Sequence, residues 1–94
     1  MFEAVEFIEE EVAPGRPAPV PTESVMGTFE SEADAVTRAR AARAGFMNAD
    51  RTGYAWWIVR EQGARLANWI SDSRSDREFA LDLTSGELIE VPQE

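Results

Sequence analysis

The chain contains no lysine, no histidine and no cysteine, and all nine of its basic residues are arginine. Most catalysis near neutral pH draws on an imidazole, a thiolate or a tunable amine. Their absence excludes Schiff-base lysines, histidine bases, thiol nucleophiles and zinc sites built from cysteine and histidine. Ser24, Ser31, Ser71, Ser73, Ser75 and Ser85 have no such group to activate them. Paired-carboxylate chemistry is still open in principle, but it needs a deep cleft that so short a chain rarely builds, and no spacing of acids nominates a pair. The expectation is a protein that is not an enzyme and takes no cofactor. The lack of disulfides fits a reducing compartment, here the cytoplasm. No apolar run approaches the roughly 20 residues of a membrane span. The acidic stretch 1–11 lacks the basic start of a secretory signal.

With 94 residues, 44% hydrophobic and 10% aromatic, the composition is that of one small folded domain with a modest core. The net charge of −9 argues against direct nucleic-acid or anionic-membrane binding, since both need a positive surface. That charge is unevenly spread: residues 1–35 carry −8, residues 36–77 carry +4 and residues 78–94 carry −5. Acidic flanks around a basic middle keep a small protein soluble. A sharper alternative is that Glu3, Glu6, Glu9, Glu10 and Glu11 imitate a phosphate backbone and inhibit a DNA- or RNA-handling protein.

Residues 2–12 (FEAVEFIEEEV) carry both a helical spacing and a strand alternation, and their β-forming composition favours a strand. Pro14, Gly15, Pro17, Pro19 and Pro21 predict a loop of polyproline-II character over 13–24. A short strand at 25–29 then feeds the one clear helix. Ser31 is its candidate N-cap, paired with Asp34 three residues on. Ala35, Ala39, Ala42 and Phe46 form one stripe, and Gly45 is the expected terminator. Residues 54–60 (YAWWIVR) are the strongest strand, turning at Gln62-Gly63 into 65–71. Residues 78–84 alternate, placing Phe79, Leu81 and Leu83 on one side, and Ser85-Gly86 turns the chain into Leu88–Val91. The order predicts an α+β domain: a mainly antiparallel sheet of four to six strands with one helix packed on one face.

The adjacent Trp56 and Trp57 must leave opposite faces of their strand, and a single helix covers only one. A two-residue turn at 62–63 pairs Trp56 with Trp69. On that register Trp57, Val59, Leu66 and Ile70 form the core face. Tyr54, Trp56, Ile58, Arg60, Arg65 and Trp69 form an aromatic, arginine-flanked face for docking another protein or a second copy of the chain. Asp72 and Asp76 bracket Ser73 and Ser75, but the pattern lacks the glycine and terminal glutamate of a calcium loop, and no metal site is expected.

Overall fold

The computed structural model describes residues 1–13, 15–17, 20–49 and 53–92. A six-stranded antiparallel sheet carries one α-helix, as the sequence predicts. Strand β1 (Phe2–Glu9) is followed by a small hairpin of β2 (Glu11–Ala13) and β3 (Arg16–Pro17). Next come β4 (Thr22–Phe29), α1 (Glu32–Asn48), β5 (Tyr54–Glu61), β6 (Trp69–Asp72), β7 (Glu78–Leu81) and β8 (Leu88–Glu90). The sheet order is β4-β1-β5-β6-β7-β8. Because β1 runs antiparallel to both neighbours, β4 and β5 run parallel with β1 between them. Parallel strands need a long crossover, and α1 supplies it, packing on β1, β4 and β5. Strands β5 to β8 form the expected meander.

Several departures concern where elements begin and end, and the strand expected over 2–12 is broken at Glu10 into β1 and β2. The segment 13–24 is not one continuous loop: Arg16–Pro17 pair with β2, and Thr22 to Ser24 already belong to β4. Pro14, Ala18 and Pro19 lie outside the described residues. The helix also runs past Gly45 to Asn48, and Ala49, at φ −78°, closes it without a left-handed residue. Gly45 therefore sits inside the helix, where the continuing hydrogen-bond ladder overrides its tendency to terminate. At the other end Ser31 caps as expected, its Oγ accepting the Asp34 N–H at 3.1 Å.

The core lies between α1 and one face of the sheet. Ala35, Val36, Ala39 and Phe46 meet Ala4, Ala55, Trp57, Val59 and Trp69. The small helix residues let α1 approach closely enough for the indoles to fill the gap. Trp57 is wholly buried and meets Phe46 edge-on at 5.6 Å, a favourable aromatic geometry. Its indole N–H donates to Glu6 Oε2 at 2.9 Å, so the ring buries no unpaired polar group. No helix among the described residues is long and apolar enough to cross a membrane.

The register between β5 and β6 differs from the two-residue turn. Residue 62 begins a loop that lasts to residue 68, and pairing resumes with Val59 opposite Trp69. Trp56 therefore faces Asp72, not Trp69, a displacement of three residues. An odd displacement moves every side chain of the returning strand to the other face. Trp69 thus joins Trp57 beneath the helix at 3% exposure, and Ile70, opposite Ile58, goes to the outer face. Leu66, expected in the core, sits in the loop at 71% exposure. Strand β7 stops at Leu81, so Leu83 is 87% exposed and does not extend the Phe79 row.

Candidate functional site

The face of the sheet opposite α1 is the candidate site. Strand β5 alternates half-buried Tyr54, Trp56, Ile58 and Arg60 with fully buried Ala55, Trp57 and Val59. The first set points away from the helix, as period-two geometry requires. Register brings Phe7 of β1 opposite Trp56. Their rings stack almost parallel, with centroids 5.1 Å apart, and Tyr54 continues the row at 5.4 Å from Trp56. Ile70 of β6 and Phe79 of β7, which pair with each other, extend the apolar surface sideways. The extensive packing of α1 on β1, β4 and β5 lies on the opposite face. The indole N–H of Trp56, unlike those of Trp57 and Trp69, has no hydrogen-bond partner among the described residues.

The two ends of this face differ. At one end Arg60 Nε donates to Glu3 Oε2 at 2.9 Å, and its Nη2 reaches Glu23 Oε1 of β4 at 3.3 Å. That bridge spans the β1 row around Val5, which is fully buried. Arg60 is thus committed to holding three strands together. At the other end a groove of about 380 Å³ opens beside the aromatic row, bounded by Glu9, Tyr54, Trp56, Ile70, Asp72 and Phe79, with Ser71, Ser75 and Arg77 completing its lining.

The loop 73–77 that walls this groove is built by Asp72. One carboxylate oxygen, Oδ1, accepts the backbone N–H groups of Arg74 and Ser75 at 3.0 and 3.1 Å, and Oδ2 accepts the Tyr54 hydroxyl at 2.9 Å. From below, Arg43 of α1 donates to the carbonyls of Asp72 and Ser75 at 3.0 and 2.6 Å. Asp72 is an organiser of its own loop, while Asp76 stands fully exposed. Burial, followed by the Asp72 hydrogen bond, holds the Tyr54 hydroxyl above its ordinary pKa, so it is a neutral donor at physiological pH. The Arg74 guanidinium lies over the Tyr54 ring at 4.2 Å, a cation–π contact.

Of the six residues that the sequence nominates for docking, Tyr54, Trp56, Ile58 and Arg60 share the open face. Arg65 is exposed in the loop 62–68, and Trp69 lies under the helix, its N–H donating to Glu78 Oε1 at 3.3 Å. Phe7 and Phe79 also belong to the face, as does Ile70, which the tight-turn register would place in the core. Only the long-range pairing of β1 with β5 sets Phe7 opposite Trp56 and makes it part of this row. The acidic residues do not share one face: Glu3 and Glu9 point with the open side, and Glu6 points to the helix side, engaged with Trp57. Glu10 is exposed, and the Glu11 side chain lies outside what is described. No protein family, curated protein or solved structure matches this chain.

Proposed function

We propose that this chain is a non-catalytic protein-interaction module, an accessory subunit or adaptor that docks a partner protein on the open face of its sheet. The observation that carries this reading is the aromatic row Phe7–Trp56–Tyr54, half-buried on the face of the sheet opposite α1. Aromatic anchors beside a shallow groove are the usual energetic centre of protein interfaces. On the other face α1 packs on β1, β4 and β5, so the aromatic row does not serve to hold the helix. A cytoplasmic setting fits the cysteine-free composition. The acidic-mimic alternative has less support, because Glu3 and Glu6 leave opposite faces of β1 and each already has an internal partner.

The test combines affinity capture from the native host with sedimentation of the purified chain. Proteins retained by the wild type and lost with Trp56→Ala, but kept by the exposed control Leu83→Ala, are the expected result. Self-association lost with Trp56→Ala would make a second copy the partner. Retention of the same proteins by Trp56→Ala, together with a monomeric wild type, would overturn the reading, provided circular dichroism shows the variant folded.

A further inference from the structure

The groove beside Trp56 differs from the rest of the open face in its charge. Arg60, Glu3 and Glu23 satisfy one another at the far end. Arg77, which also borders the groove, has its Nε 3.4 Å from Glu90 Oε1 of β8. Asp72 is occupied by Tyr54 and by its own loop. Glu9 is the exception. It is half-buried, it lines the groove opposite Tyr54 in the β1–β5 register, and its carboxylate has no hydrogen bond or ion pair among the described residues. Arg77 is matched by Glu90 and the Arg74 guanidinium over Tyr54 offsets Asp72, so the Glu9 carboxylate at the aromatic wall leaves one negative charge in excess to meet whatever enters. Its position is set by backbone: at Gly53, with φ +96°, any Cβ would run into the Glu9 carbonyl oxygen, so the strand ends approach as only glycine allows.

We propose that this groove receives an arginine side chain presented by the partner protein, its guanidinium meeting Glu9 beside the Tyr54 and Trp56 rings and its aliphatic stem lying over Ile70 and Phe79. This assignment rests on the docking reading above and names the chemistry of the partner. A planar guanidinium suits the site because it stacks on aromatic faces while directing in-plane N–H groups at a carboxylate. The long apolar stem matches the rest of the lining. The fold already sets one guanidinium against this aromatic wall, with Arg74 over Tyr54. The net charge of −9 draws a basic partner toward the molecule as a whole.

The experiment titrates the full chain with acetyl-Gly-Arg-Gly-amide, and with the lysine and citrulline versions of the same peptide. Binding is followed through the three indole N–H signals in heteronuclear NMR spectra. The expected result is a saturable shift of the Trp56 signal with the Trp57 and Trp69 signals unmoved. The citrulline peptide, isosteric but neutral, should bind about tenfold more weakly, and the lysine peptide a few-fold more weakly. Glu9→Gln, which breaks no side-chain hydrogen bond or ion pair among the described residues, should weaken the arginine peptide about fivefold and leave the citrulline peptide unchanged. Equal binding of arginine and citrulline peptides, equal binding of the lysine peptide, no effect of Glu9→Gln, or no saturable shift of Trp56 would each overturn the assignment. If protein capture still depends on Trp56 in that case, the docking face stands and only its arginine occupant falls.

Discussion

At the scale of single residues, the three tryptophans separate by the fate of their indole N–H groups. Trp57 and Trp69 bury theirs against Glu6 and Glu78, and Trp56 leaves its own without a partner on the open face. Burying an aromatic ring stabilises only where its polar atom is also satisfied. The reverse case is Ser71, next to Trp57 in the register and 3% exposed, whose Oγ has no hydrogen-bond partner among the described residues. A buried hydroxyl without a partner costs about 1–3 kcal/mol relative to one that is bonded. Ser71→Ala removes that cost and little packing. Its expected effect is an unchanged or raised midpoint in urea denaturation, by up to about 1 kcal/mol. A clear loss of stability would show that the hydroxyl is bonded in solution.

Among elements, one carboxylate joins α1 to β7, beside the Arg43 hydrogen bonds to the Asp72 and Ser75 carbonyls. Glu78 on β7 is gripped by Arg40 through Nε at 2.9 Å and Nη2 at 2.5 Å, and it also accepts from Trp69. The Arg40 hydrogen bond is the main cause that holds the Glu78 carboxyl below the ordinary glutamate value. A lowered folded pKa means stability that is present at neutral pH. It is lost as the pH falls below about 4.3, the value in the unfolded chain, and through the lower folded value. Glu78→Gln should therefore destabilise the protein at pH 7 by about 1 kcal/mol, a modest figure because Arg40 is half exposed. The difference from wild type should shrink on acidification through that range, as read by thermal melts at several pH values. A gap that stays constant with pH would assign the effect to packing. Much at this scale is legible in the sequence. Ser31 announces the helix start because a cap is a local device, acting within one turn. Gly45 misleads about its end, because continuing a helix by one more turn is decided by what Phe46 packs against, and Phe46 is a core residue.

Taken as a whole, the molecule has a helix packed on one face of its sheet, an aromatic row on the other, and a large net negative charge. Self-repulsion at −9 opposes the compact state, and added salt screens it. Most of the internal ion pairs that salt would weaken sit at least partly at the surface and contribute little. The expected outcome is a melting temperature that rises by a few degrees between about 10 and 150 mM sodium chloride. A fall over that range would mean that the Arg40–Glu78 and Arg60–Glu3 pairs outweigh the global repulsion.

The amino-acid order by itself determined the element types, the meander, the capped helix with its small-residue stripe, and the two-faced character of YAWWIVR. Those features are local, written in periodicity and in the chemistry of single turns. Tertiary structure alone decided which aromatic residues meet. The length of the loop 62–68 set the β6 register, and its odd offset from a tight turn put Trp69 under the helix and Ile70 outside. The long-range pairing of β1 with β5 then brought Phe7 onto Trp56. Alternation shows that a strand has two sides without saying which one a returning strand will share, because that choice is made where the chain closes on itself.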